Sequence, residues 1–157
     1  MWIQNVALSD IPKGNHVRVG ENSMLIQIVD ACMEFPTPKY QFRETHQFEF
    51  LDLEKDDMPD AEEFKITDEQ AKELVRLLQH ALDNRMDVIV HCFAGICRSG
   101  AVVEVGSMLG FTPVEKYRQP NLRVKHYMMD VLGWTYDAAA DHARNKNYAT
   151  WYEGLDF

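Results

Sequence analysis

The feature that most limits what this chain can fold into is the run Val88-Ile89-Val90, set directly behind an amphipathic helical pattern. Branched apolar residues without alternation mark a strand covered on both faces, as a central strand of an α/β sheet is. Upstream, Thr67-Asp68-Glu69-Gln70 forms a capping box, with acids in the first turn where the helix dipole favours them. Ala71, Leu74, Val75, Leu78, Ala81 and Leu82 then recur on one face, which predicts a helix running to about Asn84. Short branched or aromatic stretches predict further strands over 3–7, 25–29 and 48–53, with Phe48 and Phe50 on one face. Two more helices are expected, one over 98–108 stopped by Gly110. The other covers 122–132, entered through Pro120-Asn121 and stopped by Gly133. The expected architecture is a single α/β domain over 1–157, with a central mixed sheet of four or five strands flanked by helices.

Elsewhere the pattern is weaker. Glu54 to Glu63 holds six acids and a proline and is read as an exposed loop. Asp137 to Arg144 is read as a short helix, and Trp151, Tyr152 and Phe157 as aromatics packing back on the domain or on a partner.

Composition narrows the function. With 46% hydrophobic and 11% aromatic residues among 157, the chain has enough apolar content for a folded core. Lys and Arg number 16 against 25 Asp and Glu, a formal net charge of −9. Such a surface repels nucleic-acid phosphates and anionic membranes, so neither is an expected partner, although a local cationic pocket is compatible with it. No apolar stretch approaches the ~20 residues that cross a bilayer, and Met1-Trp2-Ile3-Gln4-Asn5 lacks the basic flank and apolar run of a secretory signal. Cys32, Cys92 and Cys97 are an odd number without disulfide-framework spacing, which suits free thiols in a reducing cytoplasm.

The chemistry is concentrated in His91-Cys92-Phe93-Ala94-Gly95-Ile96-Cys97-Arg98-Ser99-Gly100, between the buried strand and a helix start. A loop leaving a strand for a helix aims backbone N–H groups into one concavity, where the helix dipole adds positive potential. Cys92 stands first in that loop, where the same field stabilises a thiolate. Arg98 can fold back and offer a two-pronged contact to a phosphate or similar oxyanion. Gly95 lets the backbone turn without a Cβ clash, and Ser99 can donate its hydroxyl to the Cys92 sulfur. Cys97 reads as loop filler, with reversible Cys92–Cys97 oxidation as a secondary function. Zinc is not expected, because no second ligand pair exists and His126 and His142 stand apart.

Cys-(five residues)-Arg-Ser preceded by His resembles the signature of the protein tyrosine phosphatase superfamily. The fuller form His-Cys-x-Ala-Gly-x-x-Arg-Ser is similar to its compact dual-specificity members. Phe50-Leu51-Asp52-Leu53 resembles the Phe-x-Asp-Ile element of small prokaryotic and phage-type members, and Arg118-Gln119-Pro120-Asn121-Leu122 resembles the Pro-Asn helix entry that follows the signature helix. The resemblance is strongest over 48–132.

It implies phosphate-monoester hydrolysis in two steps without metal or organic cofactor. Cys92 is the nucleophile, residues 93–98 (Phe93, Ala94, Gly95, Ile96, Cys97, Arg98) bind the phosphate, and an aspartate is acid and then base. Asp52 is taken as that aspartate. Asp57 is the alternative, nearer to the spacing of many eukaryotic members. His91 is expected to orient the loop through hydrogen bonds, and Asn121 to cap a helix and brace the phosphate loop. The expected substrate is a phosphorylated protein or peptide. The alternatives are a catalytically silent phospho-residue binding module and a phosphatase of a small non-protein ester. The uncharged interior of the loop disfavours phosphoinositide and RNA-triphosphate relatives.

Overall fold

The computed structural model describes residues 1–54 and 59–137. In chain order these form β1 (Trp2–Ala7), α1 (Asp10–Lys13), β2 (Ser23–Val29), β3 (Glu44–Glu49), a 3-10 segment (Pro59–Phe64), α2 (Asp68–Asp83), β4 (Asp87–Cys92), α3 (Arg98–Leu109), β5 (Thr112–Pro113) and α4 (Leu122–Val131). The five strands lie in the order β3-β2-β4-β1-β5, so the Val88-Ile89-Val90 strand is central as expected.

Every pairing is parallel, where a mixed sheet was expected. The reason lies in the connections. Each carries the chain back across the sheet before the next strand begins, β3 to β4 through α2 and β4 to β5 through α3. The consequence is functional, because β1, β2, β3 and β4 all finish at the same edge.

Two cores lie on the two faces. Ile3, Ile26, Val88 and Val90 pack with Leu74 and Leu78 of α2, Val102 of α3, and Val124 and Met128 of α4. On the other face Val6, Leu25 and Ile89 meet Ile11 of the single-turn α1 and Phe42. The capping box at α2 is complete: the Gln70 N–H donates to Thr67 Oγ1 at 3.2 Å and the Thr67 N–H donates to Gln70 Oε1 at 3.0 Å. Such a cap typically contributes about 1 kcal/mol.

β3 departs from expectation, spanning Glu44–Glu49 rather than 48–53. As an edge strand paired only with β2, it carries exposed polar residues, and an apolar pattern does not mark it. The apolar residues the sequence offers as a strand are its end and the turn after it. Phe50 and Phe48 are both buried, but the Leu51 N–H already donates to the Phe64 carbonyl at 2.7 Å. The acidic stretch is not wholly an exposed loop either, since Pro59–Phe64 is helical and Ala61 is buried. Asp56 and Asp57 lie outside the described residues, as do the expected C-terminal helix beyond Asp137 and Trp151, Tyr152 and Phe157. α1 and β5 are too short to leave a sequence pattern.

Candidate active site

Cys92 ends β4, and the loop after it lies over the shared strand edge before α3 begins at Arg98. Ala7 of β1 is its neighbour across the sheet. Cys92 is 2% exposed, and its sulfur stands 3.2 Å from Ser99 Oγ.

The loop is held by its carbonyls. The Leu8 N–H donates to the Phe93 carbonyl (3.1 Å), Asn5 Nδ2 to Gly95 (2.7 Å), the Gln119 N–H to Ile96 (3.1 Å) and the Asn121 N–H to Cys97 (2.9 Å). In a trans peptide the next residue's N–H points opposite to the carbonyl. Anchoring these four oxygens on the surrounding protein therefore turns the N–H groups of Ala94, Ile96, Cys97 and Arg98 the other way. Among the described residues none of those four N–H groups has a protein acceptor. The result is a cluster of aligned donors at the N-terminus of a 12-residue helix, which is a site for an anion. Gly95 sits at φ +73°, and a Cβ there would lie 2.3 Å from the Val6 carbonyl carbon, so only glycine fits.

Arg98 is 3% exposed and oriented by two acceptors on one nitrogen: Nη1 donates to Asp30 Oδ1 at 2.6 Å and to the Phe50 carbonyl at 2.8 Å. Its buried Nε has no partner among the described residues. Holding one corner of the guanidinium leaves the remaining donors for an oxyanion. Asp30 follows β2 and Phe50 follows β3, so the parallel sheet delivers both to one place.

Asp52 is exposed two residues beyond Phe50. Asn121 Nδ2 donates to its Oδ1 at 2.7 Å and to the Leu53 carbonyl at 3.3 Å, while Asn121 Oδ1 caps α4 by accepting from the Val124 N–H at 3.0 Å. Glu54 Oε1 accepts from the Leu122 N–H at 3.0 Å. Asn121 thus joins the Asp52 turn, the loop between Cys92 and Arg98, and α4. Cys97 adjoins the same carboxylate. Burial first, then the Asp52 charge and hydrogen bond, push its thiol up to about 12.

His91 is fully buried on the opposite face of β4, across from Val6 and Gln27. Burial lowers its pKa to about 4, the Cys92 carbonyl opposing this and the Arg98 charge adding to it. The imidazole is therefore neutral near pH 7, and its one polar contact among the described residues is a long one, Nδ1 to the Cys92 carbonyl oxygen at 3.4 Å. Lys116 lies near the loop, 3.8 Å from Asp10 Oδ2; burial lowers its pKa, while Asp10 and Cys92 pull it back up.

The structure thus brings Cys92, residues 93–98, Ser99, Asn121 and Asp52 to one edge of the sheet. Sequence reasoning missed Asn5, Asp30, Glu54 and Gln119. Asp30 follows a strand that was recognised, and Asn5 is a polar residue inside an apolar strand; these are the only signals either leaves. Among the described residues, no group of three His, Cys, Asp or Glu side chains is arranged to hold a metal ion, and no helix is long and apolar enough to cross a membrane.

Residues 45–110, from β3 to the end of α3, match the family model described as the DSP-PTPase phosphatase of polymorphic toxin systems. Over that segment, which carries the Asp52 turn, α2, β4, the loop and α3, the chain is similar to dual-specificity phosphatase domains. Among solved structures it is similar to the human tyrosine phosphatase-like serine/threonine/tyrosine-interacting protein, at 20% identity over 85% of this chain and 80% of that one, with a TM-score of 0.43. Human DUSP28 shares 11% identity over 99% and 95% of the two chains, with a TM-score of 0.47. OH1 of Orf virus, a tyrosine phosphatase, shares 15% over 96% and 70%, with a TM-score of 0.45. No curated protein matches the chain.

Proposed function

We propose that this protein is a cysteine-dependent phosphatase of the protein tyrosine phosphatase type, that it acts on phosphotyrosine or more broadly on phosphorylated proteins and peptides, and that it turns over through a phosphocysteine, with residues 1–157 forming one phosphatase domain. The observation that carries the reading is the set of four anchored carbonyls beside Cys92, which leaves aligned N–H groups and the Arg98 fork for the three non-bridging oxygens of a phosphate.

In the first step the Cys92 thiolate attacks phosphorus. The P–O bond to the leaving group breaks, and Asp52, protonated, gives its proton to the departing oxygen. In the second step the Asp52 carboxylate takes a proton from water, the water oxygen attacks phosphorus, and the S–P bond breaks to release phosphate. Ser99, 3.2 Å from the sulfur, donates to the leaving thiolate. Arg98 and the loop amides stabilise the charge on phosphorus-bound oxygen throughout. Asn121 holds Asp52 over the loop. Phe93, 59% exposed in the loop, offers an apolar surface beside the phosphate site that suits the ring of a phosphotyrosine. A reducing compartment such as the cytoplasm fits the free thiols of Cys32, Cys92 and Cys97.

The test is hydrolysis of an aryl phosphate by the purified protein, its inhibition by vanadate, and then a phosphopeptide panel. Turnover blocked by vanadate and lost in Cys92→Ser supports the reading. Tight vanadate binding without turnover would make the chain a phospho-residue binding module instead.

A further inference from the structure

We infer that Asn5 is the positioning residue of the phosphate cradle: its side-chain amide fixes the Gly95–Ile96 peptide so that the Ile96 N–H faces the bound oxyanion. This rests on the proposed phosphate site and adds to it a residue outside the signature.

Asn5 lies in the middle of β1, opposite Val90 of β4, and is fully buried. A buried amide on a core strand is costly unless its polar atoms are paired. Here Nδ2 makes two bonds, to the Gly95 carbonyl at 2.7 Å and to the Tyr117 carbonyl at 3.1 Å, while the buried Oδ1 has no partner among the described residues. The amide orientation follows from this, since Oδ1 in the Nδ2 position would face two carbonyl oxygens. What the site uses is the donor.

Of the four anchored loop carbonyls, three receive backbone N–H groups, and only Gly95 is held by a side chain. Gly95 is also the residue at positive φ, crowded against Val6 and Ala7, where the loop reverses. A peptide plane flanking a glycine is the one most free to turn, because glycine admits both signs of φ. If it turned, the Gly95 carbonyl would point into the cradle and the Ile96 N–H out of it, placing a negative dipole end against a phosphate oxygen. The second bond, to Tyr117, ties the same amide to the segment whose Gln119 N–H holds the next carbonyl.

The experiment compares wild type with Asn5→Leu, which keeps the branched shape in a larger side chain without donors, and Asn5→Asp, which at neutral pH accepts but does not donate. Vanadate affinity and kcat/KM are read for phosphotyrosine and for an activated aryl phosphate, and thermal melting is recorded. Removing one preorganised oxyanion donor typically costs ~10²–10³-fold; misaligning one is expected to cost roughly 10–100-fold in both vanadate Kd and kcat/KM. The loss should be equal for the two substrates, because the cradle does not protonate the leaving group. A merely structural role would lower melting temperature and active fraction but leave the vanadate Kd of the folded molecules unchanged. Folded variants within twofold of wild type in Kd and kcat/KM overturn the inference and leave the phosphatase reading standing. Wild-type protein that neither binds vanadate nor hydrolyses aryl phosphate overturns both. Should neither variant fold, amide exchange in the wild type decides. The Asn5 side-chain protons must exchange far more slowly than those of exposed Asn15, and equal rates overturn the inference.

Discussion

The two loops that meet at the candidate active site are built in opposite ways. The loop after Cys92 is fixed through its own backbone: four carbonyls tied outward, a glycine pressed against β1, and its arginine clamped by Asp30 and Phe50. The Asp52 turn hangs from α4 by side chains, Asn121 to Asp52 and Leu53, and Glu54 to the Leu122 N–H. The first suits a group that must not reorganise while charge develops on it. The second suits a group that must reach a leaving oxygen and then a water. The fixed loop should set the rate for every substrate alike, and the hung loop should matter in proportion to how much the leaving group needs a proton.

The largest effect is expected at the nucleophile. Cys92→Ser should bring turnover of all phosphate esters below detection while phosphate or vanadate still binds, because the cradle is backbone and arginine rather than sulfur. Substantial residual turnover would remove Cys92 from the chemistry.

Next comes Arg98→Lys, expected to lower kcat/KM by roughly 10²–10³-fold for good and poor leaving groups equally. A lysine ammonium cannot bond Asp30 and Phe50 and still present a planar fork. A loss confined to poor leaving groups would blur the division between the loops.

Asp52→Asn should separate them. General acid catalysis typically supplies ~10²–10⁴-fold, so phosphotyrosine turnover should fall by at least about a hundredfold. An activated aryl phosphate should change little, and the basic limb of the pH profile should flatten. Asp57→Asn is expected to leave both substrates nearly unchanged; if the leaving-group-dependent loss appears there instead, the acid lies beyond the turn that Asn121 holds.

Asn121→Ala should be milder, about tenfold on phosphotyrosine, since the acid is then unheld but present. Loss of the α4 cap should also lower stability by about 1 kcal/mol. Restoring the cap with Asn121→Ser should recover stability but not rate.

The smallest effect is on stability and distinguishes the core strand from both loops. With a folded pKa of about 4 against 6.5, His91 binds its proton more readily in the unfolded chain. Unfolding free energy therefore falls as pH drops from about 6.5 toward 4, by at most about 3 kcal/mol. Glu44, held low by His80 and His46, and Glu73, held low by Arg76, lose their stabilising contribution only as pH falls below the ordinary glutamate range. The two windows can be separated by urea titrations at stepped pH, and His91→Leu should erase the upper one.

How much of this was legible in the sequence follows from the same division. The signature loop could be read because its parts are close in sequence: Cys92, Gly95, Arg98 and Ser99 declare an anion site by type and spacing. The turn that carries Asp52 could be located although β3 was placed four residues late, since Phe48 and Phe50 mark the buried end of that strand. The anchors were not legible. Leu8 and Gln119 act through backbone N–H groups, which any residue but proline supplies, and Asn5 reaches across 90 positions to Gly95. The all-parallel pairing was missed for a related reason. Apolar runs announce strands but carry no sign of direction, and only the crossovers decide it.

The crowding at Gly95 has a last consequence, for transplantation. With Val6 carbon, Ala7 nitrogen and Val6 oxygen all within 2.6 Å of where a Cβ would stand, the loop fits only over a neighbouring strand that leaves its backbone bare there. Grafted into another α/β scaffold, the residues from His91 to Gly100 would keep their order and lose their shape unless the recipient's adjacent strand supplied the same bare stretch and an amide at the position of Asn5. The ten-residue signature is therefore not a portable cassette. Any transferable form must carry, besides the loop and the parallel strands β1 and β4, the 119–121 segment that holds two of its carbonyls and the Asp30 and Phe50 acceptors that hold its arginine.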